Sequence, residues 1–203
     1  MPGESLFSRA RAAIAILTSG VALVFSGYSF YETVVKQPEL RIYQPPLIYM
    51  YRQAFRDVFA IPVTISNDGA RRGTVLSFDL EVTHRDTGKT MTFQNLEFGE
   101  KLDASSRLFT PISVAGRTSA TEVVLFHATA TGSFVETTGA VKLPLRFTLR
   151  LNMDSSGDWI APKQPAPVVF DMTATSVTSL QQMESGRPTA LHDSRWTDAL
   201  PKE

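Results

Sequence analysis

Lys142–Leu151 reads KLPLRFTLRL: Leu143, Leu145, Phe147, Leu149 and Leu151 are apolar, and Lys142, Pro144, Arg146, Thr148 and Arg150 fall between them. Successive side chains of a strand point to opposite faces. A period of two with leucine on one phase and arginine on the other therefore predicts a strand with one face in a core and one in water. The same period recurs on the N-terminal side. Leu76, Phe78, Leu80 and Val82 alternate with Ser77, Asp79, Glu81 and Thr83, and Asp86-Thr87-Gly88 supplies a turn before Met91 and Phe93, which predicts a hairpin. Phe59, Ile61, Val63 and Ile65 alternate ahead of Asn67-Asp68-Gly69, and Pro62 on the polar phase predicts an edge position or a bulge.

Further strands are expected at Phe109–Val114, Glu122–Ala128 and Pro167–Val177, the last with Val168, Phe170 and Met172 on one face. LRIY and LIYMY, interrupted by Pro45 and Pro46, read as a first edge strand. Seven or eight short strands with turn residues between them, and no amphipathic helix, predict an all-β domain over 40–178. The expected architecture is two packed antiparallel sheets, an immunoglobulin-like β-sandwich. A jelly roll or an open barrel would give a similar pattern, and the Cys, Trp, Cys hallmark of true immunoglobulin domains is absent. Residues 179–203 lose periodicity and read as a flexible C-terminal tail, with Leu191 and Trp196 as its apolar exceptions.

Ahead of the domain, a short N-terminal tail (1–11) precedes AAIAILTSGVALVFSGYSFY, Ala12–Tyr31, twenty residues without a charge. A helix of that length rises about 30 Å, the thickness of a hydrocarbon core, so one N-terminal transmembrane helix of the signal-anchor type is expected. Tyr28, Phe30 and Tyr31 gather at one end, where amphipathic rings favour the interface. Cleavage after Ser26 is the competing reading, but the apolar run continues past it. Arg9 and Arg11 abut the helix and favour a cytoplasmic N-terminus, with the domain in the periplasm of a bacterium and residues 32–39 as a linker. Thr18, Ala22, Ser26 and Ser29, flanked by Ala15 and Ser19, form a stripe of small side chains that would let a second membrane helix approach closely.

Composition narrows the function by exclusion. Twenty Lys and Arg against twenty Asp and Glu leave no net charge to attract nucleic acid, and the absence of cysteine excludes disulfides, thiolate metal sites and a cysteine nucleophile. The three histidines, 84, 127 and 192, lack the spacing of a zinc site, and no nucleophile elbow, phosphate loop or dinucleotide fingerprint occurs. His192-Asp193-Ser194 has the residue types of a hydrolytic triad, yet consecutive residues cannot present the required hydrogen-bond chain to one another.

Asn152-Met-Asp154-Ser-Ser-Gly157-Asp158 partly imitates a calcium loop, but Lys163 stands where the bidentate glutamate belongs, so a polar turn is expected. No cofactor is expected. What remains is a noncatalytic, membrane-anchored accessory, assembly or scaffolding subunit whose partners are the bilayer and an integral-membrane protein. Its contact candidates are the helix stripe and the loop residues Asn67, Asp68, Arg71, Arg72, Asp154 and Asp158. A binding module for a small ligand, lipid or carbohydrate is the alternative, and an enzyme whose site is dispersed over several loops is a third reading.

Overall fold

The computed structural model describes residues 3–54, 56–99, 106–130, 134, 143–154, 164–174 and 187–193. Helix α1 (Gly3–Phe30) continues into one turn of π-helix, Tyr31–Val35. Among the described residues eleven strands follow: β1 Leu40–Tyr43, β2 Leu47–Gln53, β3 Arg56–Asn67, β4 Gly73–His84, β5 Thr90–Gly99, β6 Ser106–Leu108, β7 Ile112–Val114, β8 Ser119–Ala128, β9 Leu143–Met153, β10 Val168–Ala174 and β11 Thr189–Asp193.

The strands do not form two packed sheets. Pairing runs β5-β8-β3-β2-β11-β10-β9-β4 and returns from β4 to β5, which closes an eight-stranded antiparallel barrel with β1, β6 and β7 added to it. The immunoglobulin-like sandwich is therefore corrected to a barrel. A sandwich and a small barrel both bury every second residue, so alternation cannot separate them; the closing pairs can. One is β4 with β5, Asp79↔Gln94 to Thr83↔Thr90. The other is supplied by β11, which pairs with β2 (Thr189↔Met50 to His192↔Leu47) and with β10 (Met172↔Asp193, Thr173↔His192). Strand β11 lies inside the expected tail, so the tail reading fails at 189–193, and Leu191 is fully buried in the core. Among the barrel strands, β3, β4, β5 and β8 stand in the order β4-β5-β8-β3, a Greek key.

Strand β9 behaves as its alternation requires, with Leu143, Leu145, Phe147, Leu149, Leu151 and Met153 all buried. Strand β4 does not. A bulge between Val75 and Ser77 in its pairing with β9 shifts the phase, so Val75 is buried with Phe78 and Leu80 while Leu76 lies 45% exposed. A second irregularity, between Asn95 and Glu97 of β5, turns Leu96 outward, and the Asn95 side chain accepts the Phe78 amide at 3.0 Å in place of the missing ladder bond. Beyond this point β4 and β5 diverge. Strand β6 pairs with β5 and β7 with β4 in the gap, and Phe109 between them stacks on Phe98 at 4.7 Å and meets Phe78 edge-on at 6.0 Å.

Pro62 is not on an edge strand, because β3 pairs with β8 on one side and with β1 and β2 on the other. The Asp68 amide donates to Glu39 on the β1 side, so alternation points the Pro62 nitrogen to the same side. There β1 and β2 are interrupted at Pro45 and Pro46, and no ladder donor is needed.

The interior is filled with rings. Phe59 meets Phe93 at 4.9 Å and Phe147 at 5.1 Å in edge-to-face contacts, Phe147 stacks on Phe170 at 5.2 Å, and Phe134 packs edge-on against Phe93 at 6.1 Å. Such pairs add about 0.5–1.5 kcal/mol each beyond the burial of their area. A barrel of eight strands has an interior just wide enough for side chains, and here phenylalanine occupies it.

Candidate functional site

With the interior occupied by side chains, the groups open to partners lie on the helix, at the barrel ends and on its outer wall. The helix Ala10–Val35 is long and apolar enough to cross a membrane, and none of its most apolar stretch is buried against the barrel. Ala15, Thr18, Ser19, Ala22, Ser26 and Ser29 are all exposed on it. The Thr18 hydroxyl is satisfied within the helix, donating to the carbonyls of Ile14 and Ala15 at 3.0 Å, so this stripe offers close approach and not a free Thr18 donor.

Residues 32–39 form a splice between helix and barrel. The Lys36 carbonyl accepts from the amides of Ala70 and Arg71, both at 3.1 Å, and the Glu39 carbonyl accepts from the Asp68 amide at 2.9 Å. From the β7–β8 turn, Arg117 Nη2 donates to the Glu32 carbonyl at 2.6 Å and so caps a terminal carbonyl of the helical segment. Two glycines permit the close approach: a Cβ on Gly69 would collide with the Gln37 carbonyl oxygen, and one on Gly116 with that of Ala70. Arg117 itself adopts a left-handed φ of 58°.

Asn67, expected as a loop contact, is 1% exposed and holds the splice together. Its Oδ1 accepts from the amides of Glu39 (3.1 Å) and Gly69 (3.0 Å), and its Nδ2 donates to the carbonyls of Arg71 (2.8 Å) and Val114 (3.1 Å). Every hydrogen-bonding position of the amide serves the fold, which withdraws this residue from the contact candidates. Asp68 is exposed and paired with Arg41 at 3.2 Å, Arg71 Nη1 donates to Gln37 Oε1 at 3.3 Å, and Arg72 is exposed. The Asp154 amide donates to the Thr74 carbonyl at 2.9 Å, and the Asn152 side chain donates to Ser77 and Asp79. Asp158 lies outside the described residues. Among the described residues no three His, Asp or Glu side chains are placed to hold a metal ion.

Beside the splice, Tyr43, Thr64, Ser66, Asn67, Asp68, Arg117, Thr118 and Ser119 line a hollow of about 530 Å³ on the outer wall. The Ser66 hydroxyl is out of solvent without a hydrogen-bond partner. A second cleft of about 440 Å³ separates β1 from residues 164–168, and its floor is mostly proline and aliphatic side chains. Farther from the helix on the same wall, Val58, Ala60 and Leu125 form an external apolar cluster with Tyr49, Tyr51 and Val123. At its margin His127 Nε2 is buried without a hydrogen-bond partner, 4.0 Å from the Glu97 carboxylate. Burial pushes the pKa of this imidazole below 6.5, against the pull of Glu97 and with a contribution from Arg56. Sequence reasoning did not single out Arg117, Ser66 or Ser119 because their neighbours come from other strands. The Gly116-Arg117 turn was the one local signal.

No family model and no curated protein matches the chain. A solved structure, a protein from Archaeoglobus fulgidus, is similar at a TM-score of 0.43 and 9% identity, over 67% of this chain and 98% of that one.

Proposed function

We propose that the chain is a noncatalytic, membrane-anchored accessory or scaffolding subunit. Its helix is a single-pass signal anchor, its N-terminus is cytoplasmic, and its barrel is held on the periplasmic face of a bacterial inner membrane. The observation that carries this reading is the splice. A tether that only kept a soluble domain nearby would need no fixed geometry, whereas here the Lys36 carbonyl, Arg117 and Asn67 fix the barrel to the helix end by hydrogen bonds. Fixed orientation matters when a partner in the same membrane must meet one particular face of the domain. A filled barrel supports the same reading, since its contacts must be made with outer surfaces.

Co-purification in mild detergent tests it, comparing a C-terminally tagged full chain with a copy lacking residues 1–35. A stoichiometric membrane partner retained by the first and lost by the second is expected. If the full chain comes out alone, the scaffold reading fails. Ala22→Ile, which fills the small-residue stripe without touching the barrel, is expected to reduce partner recovery and leave the melting temperature unchanged. Full recovery with this variant would remove the stripe from the interface. A binding module remains the second reading, favoured by the hollows on the outer wall.

A further inference from the structure

We propose that the hollow lined by Tyr43, Thr64, Ser66, Arg117, Thr118 and Ser119 binds the phosphate-bearing headgroup of a membrane phospholipid. This rests on the reading of the helix as a membrane anchor, because the anchor sets the depth of the hollow. Glu32 and Lys36 are the first charged residues after the uncharged run and belong at headgroup level. Arg117 donates to the Glu32 carbonyl at 2.6 Å, so its guanidinium lies at that level too.

The chemistry of the lining suits a phosphate ester. A guanidinium carries five N–H donors in a planar fork, and the contact with Glu32 uses Nη2. Hydroxyls of Tyr43, Ser66 and Ser119 share the lining with it, groups that donate to phosphate oxygens or accept from a glycerol hydroxyl, while the Thr118 hydroxyl donates to the Ala115 carbonyl at 2.9 Å and that of Thr64 pairs with Thr121 at 3.0 Å. The Ser66 hydroxyl is buried and lacks a partner, a cost that a bound acceptor would remove. Asp68, the carboxylate on the rim, is countered by Arg41 at 3.2 Å, and Arg41 also holds Glu39 at 2.8 Å. The left-handed backbone of Arg117 adds a further sign, since non-glycine residues held there recur at ligand sites when surrounding structure enforces them.

The test uses the full chain in uncharged, phosphate-free maltoside micelles, followed through the backbone amide resonances of residues 64–68 and 117–119. Dihexanoyl phosphatidylglycerol, dihexanoylglycerol, glycerol phosphate and inorganic phosphate are titrated separately. Saturable shifts at both segments with the phospholipid, none with the phosphate-free lipid, and at least about tenfold weaker binding of the two soluble phosphates support the proposal. Equal affinity for inorganic phosphate assigns the hollow to a free anion and overturns the lipid source, and absence of saturable shifts overturns the site altogether.

Arg117→Gly keeps the left-handed turn accessible while removing the guanidinium, and is expected to weaken phospholipid binding about tenfold. Because this variant also loosens the splice, Ser66→Ala with Ser119→Ala serves as the second test, with a loss of about fivefold expected. Wild-type affinity in both variants overturns the site. Vesicle flotation of the full chain after alkaline carbonate separates the two readings: a chain that floats while its amides stay silent defeats only the headgroup site. A chain stripped from the vesicles defeats the anchor and the headgroup assignment together.

Discussion

The helix end of the barrel is fastened by Asn67 and the opposite end by Asp57, and the two residues do similar work by different physics. Asn67 is neutral and bonds four backbone groups from three parts of the chain. Asp57, fully buried, is a carboxylate that accepts from Arg52 Nε at 3.1 Å and from the Phe134 amide at 2.6 Å, which places the Phe134 ring as a plug over Phe93. A buried carboxylate makes stronger individual bonds but must be compensated for its lost hydration. A buried amide incurs less desolvation and holds regardless of pH or salt. The end next to the proposed bilayer, where water thins and the dielectric falls, is thus held without a buried charge.

Breaking each fastening in turn sharpens this contrast. Asn67→Ala strands four backbone groups, and a loss of about 3–4 kcal/mol in urea unfolding is expected, with hydrogen-exchange protection falling first at β1 and β7. If protection falls equally at Phe134, the two ends are one cooperative unit and the comparison collapses. Asp57→Ala should cost about 2–3 kcal/mol and raise exchange at Phe134 while β1 stays protected; Asp57→Asn should recover part of the loss, since one acceptor oxygen survives.

At the Asp57 end, where His127 pairs with Val58, stability depends on pH. The pKa of His127 is held below 6.5 by burial, so the unfolded chain binds the proton first. Stability is therefore expected to fall as pH drops below 6.5 and to level off once the folded imidazole also titrates. Urea midpoints at pH 7.5 and 5.5 measure this, and His127→Gln should flatten the difference.

The smallest effect belongs to Asp171. A hydrogen bond from Arg146 holds its carboxyl below the ordinary 3.8, so its contribution is present above that value and is lost as pH falls through the lowered one. Arg146→Gln should shrink that acid limb, the remainder being held by Arg85 at 3.5 Å, and leave midpoints near neutrality almost unmoved, as expected for an exposed pair.

Much of the β character was legible because burial on one face imposes a period of two, as in β9, whatever the closure of the sheet. Closure was not legible. It depends on β11, whose TALHD is too short and too polar at its ends to stand out from a tail until Met50 lies opposite Thr189. Leu76 misled for a related reason, since a bulge is a property of two strands and leaves no mark in the one that carries it. At the site, Asn67 and Asp68 were visible as turn formers, and residue type alone could not tell that one is buried and the other exposed. Arg117 follows Gly116, a residue type that favours turns, but its partner, Glu32, is remote in sequence.

Strand β11 also governs the order of events during synthesis. Strand β2 is among the first barrel strands made, yet one of its two neighbours is Thr189–Asp193. Until those residues have left the ribosome, and in the proposed topology the translocation channel, β2 keeps an open edge beside a core that already contains Ile48 and Met50. Closure is then a late, long-range step with a large entropic cost, and a nascent chain stalled before Thr189 is a barrel with a missing stave, able to accept a strand from another copy.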